Sequence, residues 1–171
     1  NGSSVITGTI NDGIIRSNNS GISWAEANNG LVASQVYHMA TSGTELYALD
    51  GNKNIFKSSD FGATWFKINP GWPLTSPITS FAVDGNRIFV ATNSGLFITL
   101  NGGTTWSLST NGFNGINPNR IVIDGNNIYA GTGHQGVYKS INGGISWSPA
   151  NAGISTKTIT TLCLNGNDLY A

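Results

Sequence analysis

The sequence predicts an all-β fold, a β-propeller built of four-stranded antiparallel blades, and three observations carry that expectation. The first is a fixed period. Trp24, Trp65, Trp106 and Trp147 fall 41 residues apart throughout the 171-residue chain, and a constant step of about 20–50 residues marks a repeat architecture. The second is strand-like patterning within each period. Four short apolar or β-branched runs are broken by turn residues, and no window keeps a helical period. The third is unit size: four strands in about 40–45 residues make one propeller blade.

The elements of the unit follow in order. A first run, such as Thr158–Leu164, leads into a Gly/Asn/Asp turn of the kind at Asp84–Asn86, Asp124–Asn126 and Asn165–Asn167. These residues tolerate positive φ and suit tight hairpins. A second run then contains Val5-Ile6, Leu46-Tyr47, Ile88-Phe89, Ile128-Tyr129 or Leu169-Tyr170. A third holds Ile15, Phe56, Phe97 or Tyr138, as in Gly136–Ser140, and a fourth follows the tryptophan, as in Ser146–Ala150. Gly30, Gly71, Gly112 and Gly153 recur six residues after each tryptophan, and apolar Leu31, Trp72, Phe113 and Ile154 come next. The units run approximately over 1–34, 35–75, 76–116 and 117–157, with 158–171 starting a further blade, all within one propeller segment, 1–171. Asn1–Thr7 aligns with Asn165–Ala171, so four repeats and a seven-residue overlap account for the length. Membership of a larger ring is the favoured expectation. Pairing of two chains into an eight-bladed ring and closure at four blades stand beside it.

Between the third and fourth runs lies one repeated phrase. Ser17–Trp24, Ser58–Trp65, Thr99–Trp106 and Ser140–Trp147 share the pattern Ser/Thr-x-Asn/Asp-x-Gly-x-Ser/Thr-Trp. Asn19, Asp60, Asn101 and Asn142 are placed to bond backbone N–H groups of their own turn. Gly21, Gly62, Gly103 and Gly144 supply a conformation that a Cβ resists. The hydroxyl before the tryptophan ties the loop and the indole covers it. Burial of about 150–250 Å² per tryptophan is worth at most about 4–6 kcal/mol.

The phrase resembles the Asp-box, or bacterial neuraminidase repeat, of the sialidase- and sortilin-like propeller superfamily. Xyloglucan-cleaving propellers, photosystem assembly propellers and many secreted bacterial proteins carry it too. The resemblance covers all four units, implies a propeller, and specifies function poorly, because the repeated residues are those that build the scaffold. Asn replaces Asp in three of the four phrases, which suits a turn-bonding role and argues against calcium. The sialidase version of the family implies three arginines gripping a carboxylate. Arg16 is equivalent to Lys57 and Lys139, Arg87 lies in a hairpin, and only Arg120 stands near the start of a first strand. Such a triad is not expected here.

Composition narrows the function further. Net charge is zero and 9% of residues are charged. No basic patch points to nucleic acid, and no run of 18 or more apolar residues spans a membrane. A Gly-, Asn-, Ser- and Thr-rich β protein suits an extracellular or cell-surface location. Cys163 stands alone and reads as a small buried hydrophobe. Asn1-Gly2-Ser3 and Asn18-Asn19-Ser20 fit the N-glycosylation pattern.

The chemistry-bearing residues are few. Of the eight acids, only Asp12 and Asp50 fall on connections between second and third strands, the side on which propellers carry their sites. Two carboxylates about 5–10 Å apart are what glycoside cleavage needs, but solvated loop residues are the simpler reading of this pair. His38, beside Tyr37, and His134 are the only histidines. Without a Cys/His/Asp cluster they make no metal site, and no cofactor is expected. Tyr37, His38, Asp12, Asp50, Arg120 and His134 are therefore the candidate ligand contacts. The blade connections Val32–Tyr37, Pro73–Pro77, Asn114–Asn119 and Ser155–Lys157 vary most between units, and variable loops on a constant scaffold carry binding. Trp72 and Phe113 share the recurring apolar slot and read as core or rim. The sequence thus describes a non-catalytic module that binds glycan or protein ligands. The alternatives are a glycoside-hydrolase segment whose catalytic residues lie elsewhere, and a self-associating structural repeat. Further blades of the same protein or a second copy would complete the ring.

Overall fold

The computed structural model describes residues 3–32, 35–68, 76–113 and 115–171. All regular structure among them is β, in five antiparallel sheets. The chain divides into two units, Asn1–Trp72 and Pro73–Ala171. In the first, β1 (Val5–Gly8), β2 (Ile14–Ser17) and β3 (Ala25–Glu26) form one sheet. A second sheet contains β4 (Val36–Ser42), β5 (Glu45–Asp50), β6 (Ile55–Ser58) and β7 (Phe66–Lys67). In the second unit, β8 (Ile78–Asp84), β9 (Arg87–Thr92), β10 (Gly95–Thr99) and β11 (Ser107–Ser109) form one four-stranded blade. The next is β12 (Pro118–Asp124), β13 (Asn127–Thr132), β14 (Val137–Ser140) and β15 (Ser148–Pro149), followed by the pair β16 (Cys163–Asn165) and β17 (Asp168–Tyr170).

The blades are meanders because each connection is a turn the local residues favour. Asp84 pairs with Arg87, Asp124 with Asn127 and Asn165 with Asp168, each across a two-residue loop that begins with Gly. The run expected over Thr158–Leu164 joins its ladder only from Cys163. Its earlier part reaches sideways instead, with Ile159 N–H donating to Thr132 O at 2.8 Å. Cys163 is exposed, unlike the buried hydrophobe expected of it, because a three-residue strand at a sheet edge has little to cover it. Among the described residues no helix is long and apolar enough to cross a membrane.

The repeated phrase folds as a hydrogen-bonded cage, four times over. Its first hydroxyl is the hub. Ser58 Oγ donates to Asp60 Oδ1 at 2.7 Å and accepts the Gly62 N–H at 2.8 Å. Ser17, Thr99 and Ser140 do the same toward Asn19 and Gly21, Asn101 and Gly103, and Asn142 and Gly144. All four hub residues are buried. The third residue returns the contact: Asn101 Oδ1 accepts the Thr105 N–H at 3.0 Å and Asn101 Nδ2 donates to Thr105 Oγ1 at 2.8 Å. Asp60 has no donor to offer, so there the bond reverses and Thr64 Oγ1 donates to the carboxylate. These bonds hold Asp60 at a pKa of about 2, the Thr64 hydroxyl being the largest cause. Gly62 takes φ of 82° at the tip.

Two of the tryptophans reach out of their own blade, while the indole N–H of Trp106 donates to Gly103 O of its own turn at 3.0 Å. Trp65 N–H donates to Asn29 O at 2.8 Å and its indole Nε1–H to Ala27 O at 2.9 Å. Trp147 N–H donates to Asn111 O at 3.0 Å and its Nε1–H to Ser109 Oγ at 2.9 Å. Each thereby locks onto the segment after the fourth strand of the preceding blade in the same unit. The recurring glycine marks the contact point: a Cβ on Gly30 or Gly112 would overlap the carbonyl of Trp65 or Trp147. Phe113, from the apolar slot, lies tilted against Trp147 with centroids 4.8 Å apart. Trp65 and Trp147 join the hydrophobic clusters of their units, with Phe56 and Val36 in the first and Phe89 and Ile128 in the second. The four tryptophans are not equivalent, however. Trp65 is 2% exposed and Trp147 6%, whereas Trp24 is 43% exposed. Gly71, Trp72 and residues 73–75 of the second blade connection lie outside the described residues, as do Asn1 and Gly2 of the first glycosylation pattern.

Candidate functional site

Where a second strand turns into a third, one residue caps the turn with its side chain. Thr132 Oγ1 donates to Gly136 O at 2.9 Å and accepts the Gln135 N–H at 2.9 Å. Asn151, four residues beyond Trp147, braces the same loop. Its Oδ1 accepts the Val137 N–H at 2.7 Å and its Nδ2 donates to Gln135 O at 3.0 Å. In the first unit Thr9 and Asn28 repeat this scheme: Thr9 Oγ1 donates to Gly13 O at 3.1 Å, and Asn28 braces Ile14 and Asp12. Counted in steps of 41, this asparagine stands at Asn28, Asn69 and Asn151, with Thr110 at the remaining position.

The opposite wall comes from the blade connection. The β12–β13 ladder slips between Pro118 and Arg120, leaving Asn119 as an extra residue. Bulges of this kind re-aim side chains beside functional sites. Asn119 Nδ2 donates to Ile159 O at 3.2 Å. Between the two walls lies a cavity of ≈ 220 Å³, lined by Gly115, Asn117 and Asn119 on one side and by Thr132, Gly133, His134 and Gln135 on the other. No Asp, Glu, Lys or Arg lines it. Three side-chain amides and the His134 imidazole belong to the lining and offer both donors and acceptors, while the Thr132 hydroxyl is already spent on its turn.

Of the six expected ligand contacts, His134 lines this cavity and Arg120 does not, although Arg120 lies on β12 and is exposed. The other four belong to the first unit. Tyr37 is the extra residue of the β4–β5 bulge, is exposed, and donates from its hydroxyl to Gln35 Oε1 at 3.2 Å. His38 follows it on β4. Asp12 sits exposed on the Thr9–Gly13 turn, its N–H donating to Thr9 Oγ1 at 2.8 Å. Asp50 is 1% exposed. It occupies the capping position of Thr9 and Thr132, and its two oxygens accept the Asn54 N–H and Nδ2–H at 2.7 and 2.8 Å. That is the arrangement of a turn residue, and it removes Asp50 from reach of a ligand.

Two further acids, Glu45 and Asp84, have local partners. Glu45 pairs with Lys57 at 2.6 Å, and the bond from Lys57 lowers its pKa. Burial and the bond to Glu45 push the Tyr47 phenol up. Asp84 pairs with Arg87, which also reaches Gly125 O and Asn126 Oδ1. Among the described residues no three His, Cys, Asp or Glu side chains are grouped to hold a metal.

With this geometry in hand, relatives can be compared. The family model described as the DUF6242 beta propeller domain matches residues 5–117. None of the curated proteins matches the sequence. Among solved structures, the chain is similar to a GH74 enzyme of Niastella koreensis, at 26% identity and a TM-score of 0.64, covering 86% of this chain and 28% of that one. It is also similar to YCF48 bound to D1 peptide, at 14% identity and a TM-score of 0.60, covering 86% and 51%. A third similar structure is the extracellular domain of a hybrid two component system from B. thetaiotaomicron, at 16% identity and a TM-score of 0.66, covering 95% and 23%. The last two likenesses show the fold alone. The chain spans between about a quarter and about half of the length of these structures.

Proposed function

Because the chain belongs to the family of DUF6242 beta propeller domains, we propose that it is a non-catalytic binding module, an Asp-box-type propeller that holds a neutral polar ligand on its second-to-third strand side. The observation that carries this reading is the uncharged cavity between Gly115–Asn119 and Thr132–Gln135. Its groups are those that hydrogen-bond sugar hydroxyls or peptide amides, and its loop is pre-ordered by Thr132 and Asn151, so little entropy is lost when a ligand enters. Glycan and protein ligands both fit this chemistry. An extracellular or cell-surface location accords with the Asn-, Ser- and Thr-rich composition and with the extracellular domain among the similar folds.

Binding to an array of neutral oligosaccharides and extended peptides tests the reading. A ligand of the proposed kind loses about tenfold or more in affinity with Asn117→Ala or His134→Ala, and Arg120→Ala leaves it unchanged. Binding that ignores the first two substitutions and depends on Arg120 would overturn it. A second reading rests on the 26% identity to a GH74 enzyme: the blades would serve a glycoside hydrolase whose paired acids lie outside these residues. Hydrolysis of xyloglucan by the 171-residue chain itself would contradict both readings.

A further inference from the structure

In two blades a main-chain bond joins the residue before the first strand to the residue after the second. Gly51 N–H donates to Gln35 O at 3.0 Å in the blade β4–β7, and Asn93 N–H donates to Pro77 O at 3.2 Å in the blade β8–β11. The ladders pair Val36 with Asp50, Ile78 with Thr92 and Pro118 with Thr132. Asn117 and Gly133 are therefore the corresponding residues of the blade β12–β15, which has all four of its strands. There the bond does not form. Among the described residues neither the Asn117 carbonyl nor the Gly133 N–H has a hydrogen-bond partner. The two residues lie instead on the facing walls of the ≈ 220 Å³ cavity. The loop after Gly133 is tied to later segments, with Gly136 N–H donating to Lys157 O at 2.8 Å and Asn151 bonded to Gln135 O and the Val137 N–H. A Cβ on Gly133 would meet only Asn119 Nδ2, at 3.5 Å, so the space beside it is open.

We infer that one trans peptide unit of a neutral, extended peptide fills this gap, its carbonyl accepting the Gly133 N–H and its own N–H donating to Asn117 O. This names the ligand class of the cavity and rests on its reading as a binding site. A trans peptide points its N–H and C=O in opposite directions, which suits a donor on one wall and an acceptor on the other. The inserted unit restores through the ligand the link that two other blades make directly, and main-chain bonds supply affinity as they do in strand addition. The Asn117 and His134 side chains also have no hydrogen-bond partner among the described residues and are left to contact the ligand's flanking groups. A sugar ring fits less well. It carries an apolar face, and no Phe, Tyr or Trp lines the cavity to cover it.

The probes are neutral hexapeptides capped at both ends, with neutral oligosaccharides beside them, and the measurement is amide hydrogen exchange read by NMR on the full chain. Without ligand, the Gly51 and Asn93 amides exchange slowly and the Gly133 amide rapidly. The best-binding peptide slows exchange at Gly133 about tenfold or more, and N-methylation of one of its amides weakens binding about tenfold or more. Gly133→Ala places a methyl in the gap and weakens peptide binding while exchange at Gly51 and Asn93 stays as it was, which separates a blocked gap from lost folding. A Gly133 amide already protected in the free chain, peptide binding that leaves it unprotected, or tolerance of N-methylation at every ligand amide would each overturn the inference. Oligosaccharide binding that is lost with Asn117→Ala and His134→Ala, with no peptide bound, would overturn the peptide but keep the cavity as a binding site. Binding of neither class would overturn both.

Discussion

At the scale of single residues, the glycines separate into those that only turn and those that are also touched. Gly112 and Gly125 both have positive φ, at 72° and 57°. Gly125→Ala adds a methyl in open space and should cost only the left-handed penalty, about 1–2 kcal/mol. Gly112→Ala drives the methyl into the Trp147 carbonyl as well, and strain together with overpacking should raise the cost to about 3 kcal/mol or more. Urea denaturation of the two variants checks the difference. Asp60 offers a second residue-scale prediction. Its carboxyl has a pKa of about 2 in the folded chain and 3.8 ordinarily, so the unfolded state takes up the proton first as pH falls. The stability it contributes is complete above its ordinary value and disappears as pH drops through the folded one. Asp60→Asn restores the amide arrangement of the other three turns and removes this dependence. Denaturation midpoints compared down to about pH 2 should show a wild-type minus variant difference that is constant near neutrality and shrinks below the ordinary carboxyl value.

At the scale of elements, the tryptophan's worth depends on what lies beyond its own turn. Trp65→Ala removes an indole that is 2% exposed and a bond to Ala27 O, and should cost about 3–5 kcal/mol. Trp24→Ala, at 43% exposure, should cost below about 1 kcal/mol. Thermal unfolding of both in dilute solution gives the comparison. This asymmetry also explains what was legible in the sequence. Period, strand order and the two-residue hairpins could be read because each depends on local residue types at a fixed step. The hub role of Ser17, Ser58, Thr99 and Ser140 was not read, since only the folded turn shows the first hydroxyl receiving the glycine N–H. The use of Gly30 and Gly112 against another blade's carbonyl was hidden for a related reason, as it is a contact between blades. Asp50 misled because a carboxylate on a connecting loop looks like a ligand contact. Its role became visible only through its bonds to Asn54 and its equivalence to Thr132.

At the scale of the whole chain, a period that builds four similar turns leaves function to the places where the units differ. The blade connection before β12 and the loop holding His134 are such places, and between them lies the uncharged cavity. His134 was named from sequence as one of two histidines. Asn117, Asn119 and Gln135 were not singled out, because amides in an Asn-rich chain carry no signal until the bulge at Asn119 brings them to one wall. The proposed division of labour is specific: turns and tryptophans hold the blades, and the amide-lined cavity is where a ligand would bind. Backbone amide shifts, mapped by NMR while the best array ligand is titrated in, test it most directly. The account predicts changes centred on Gly115–Asn119 and Thr132–Gln135. Changes centred on the repeated turns, Ser58–Trp65 and Ser140–Trp147, would contradict it.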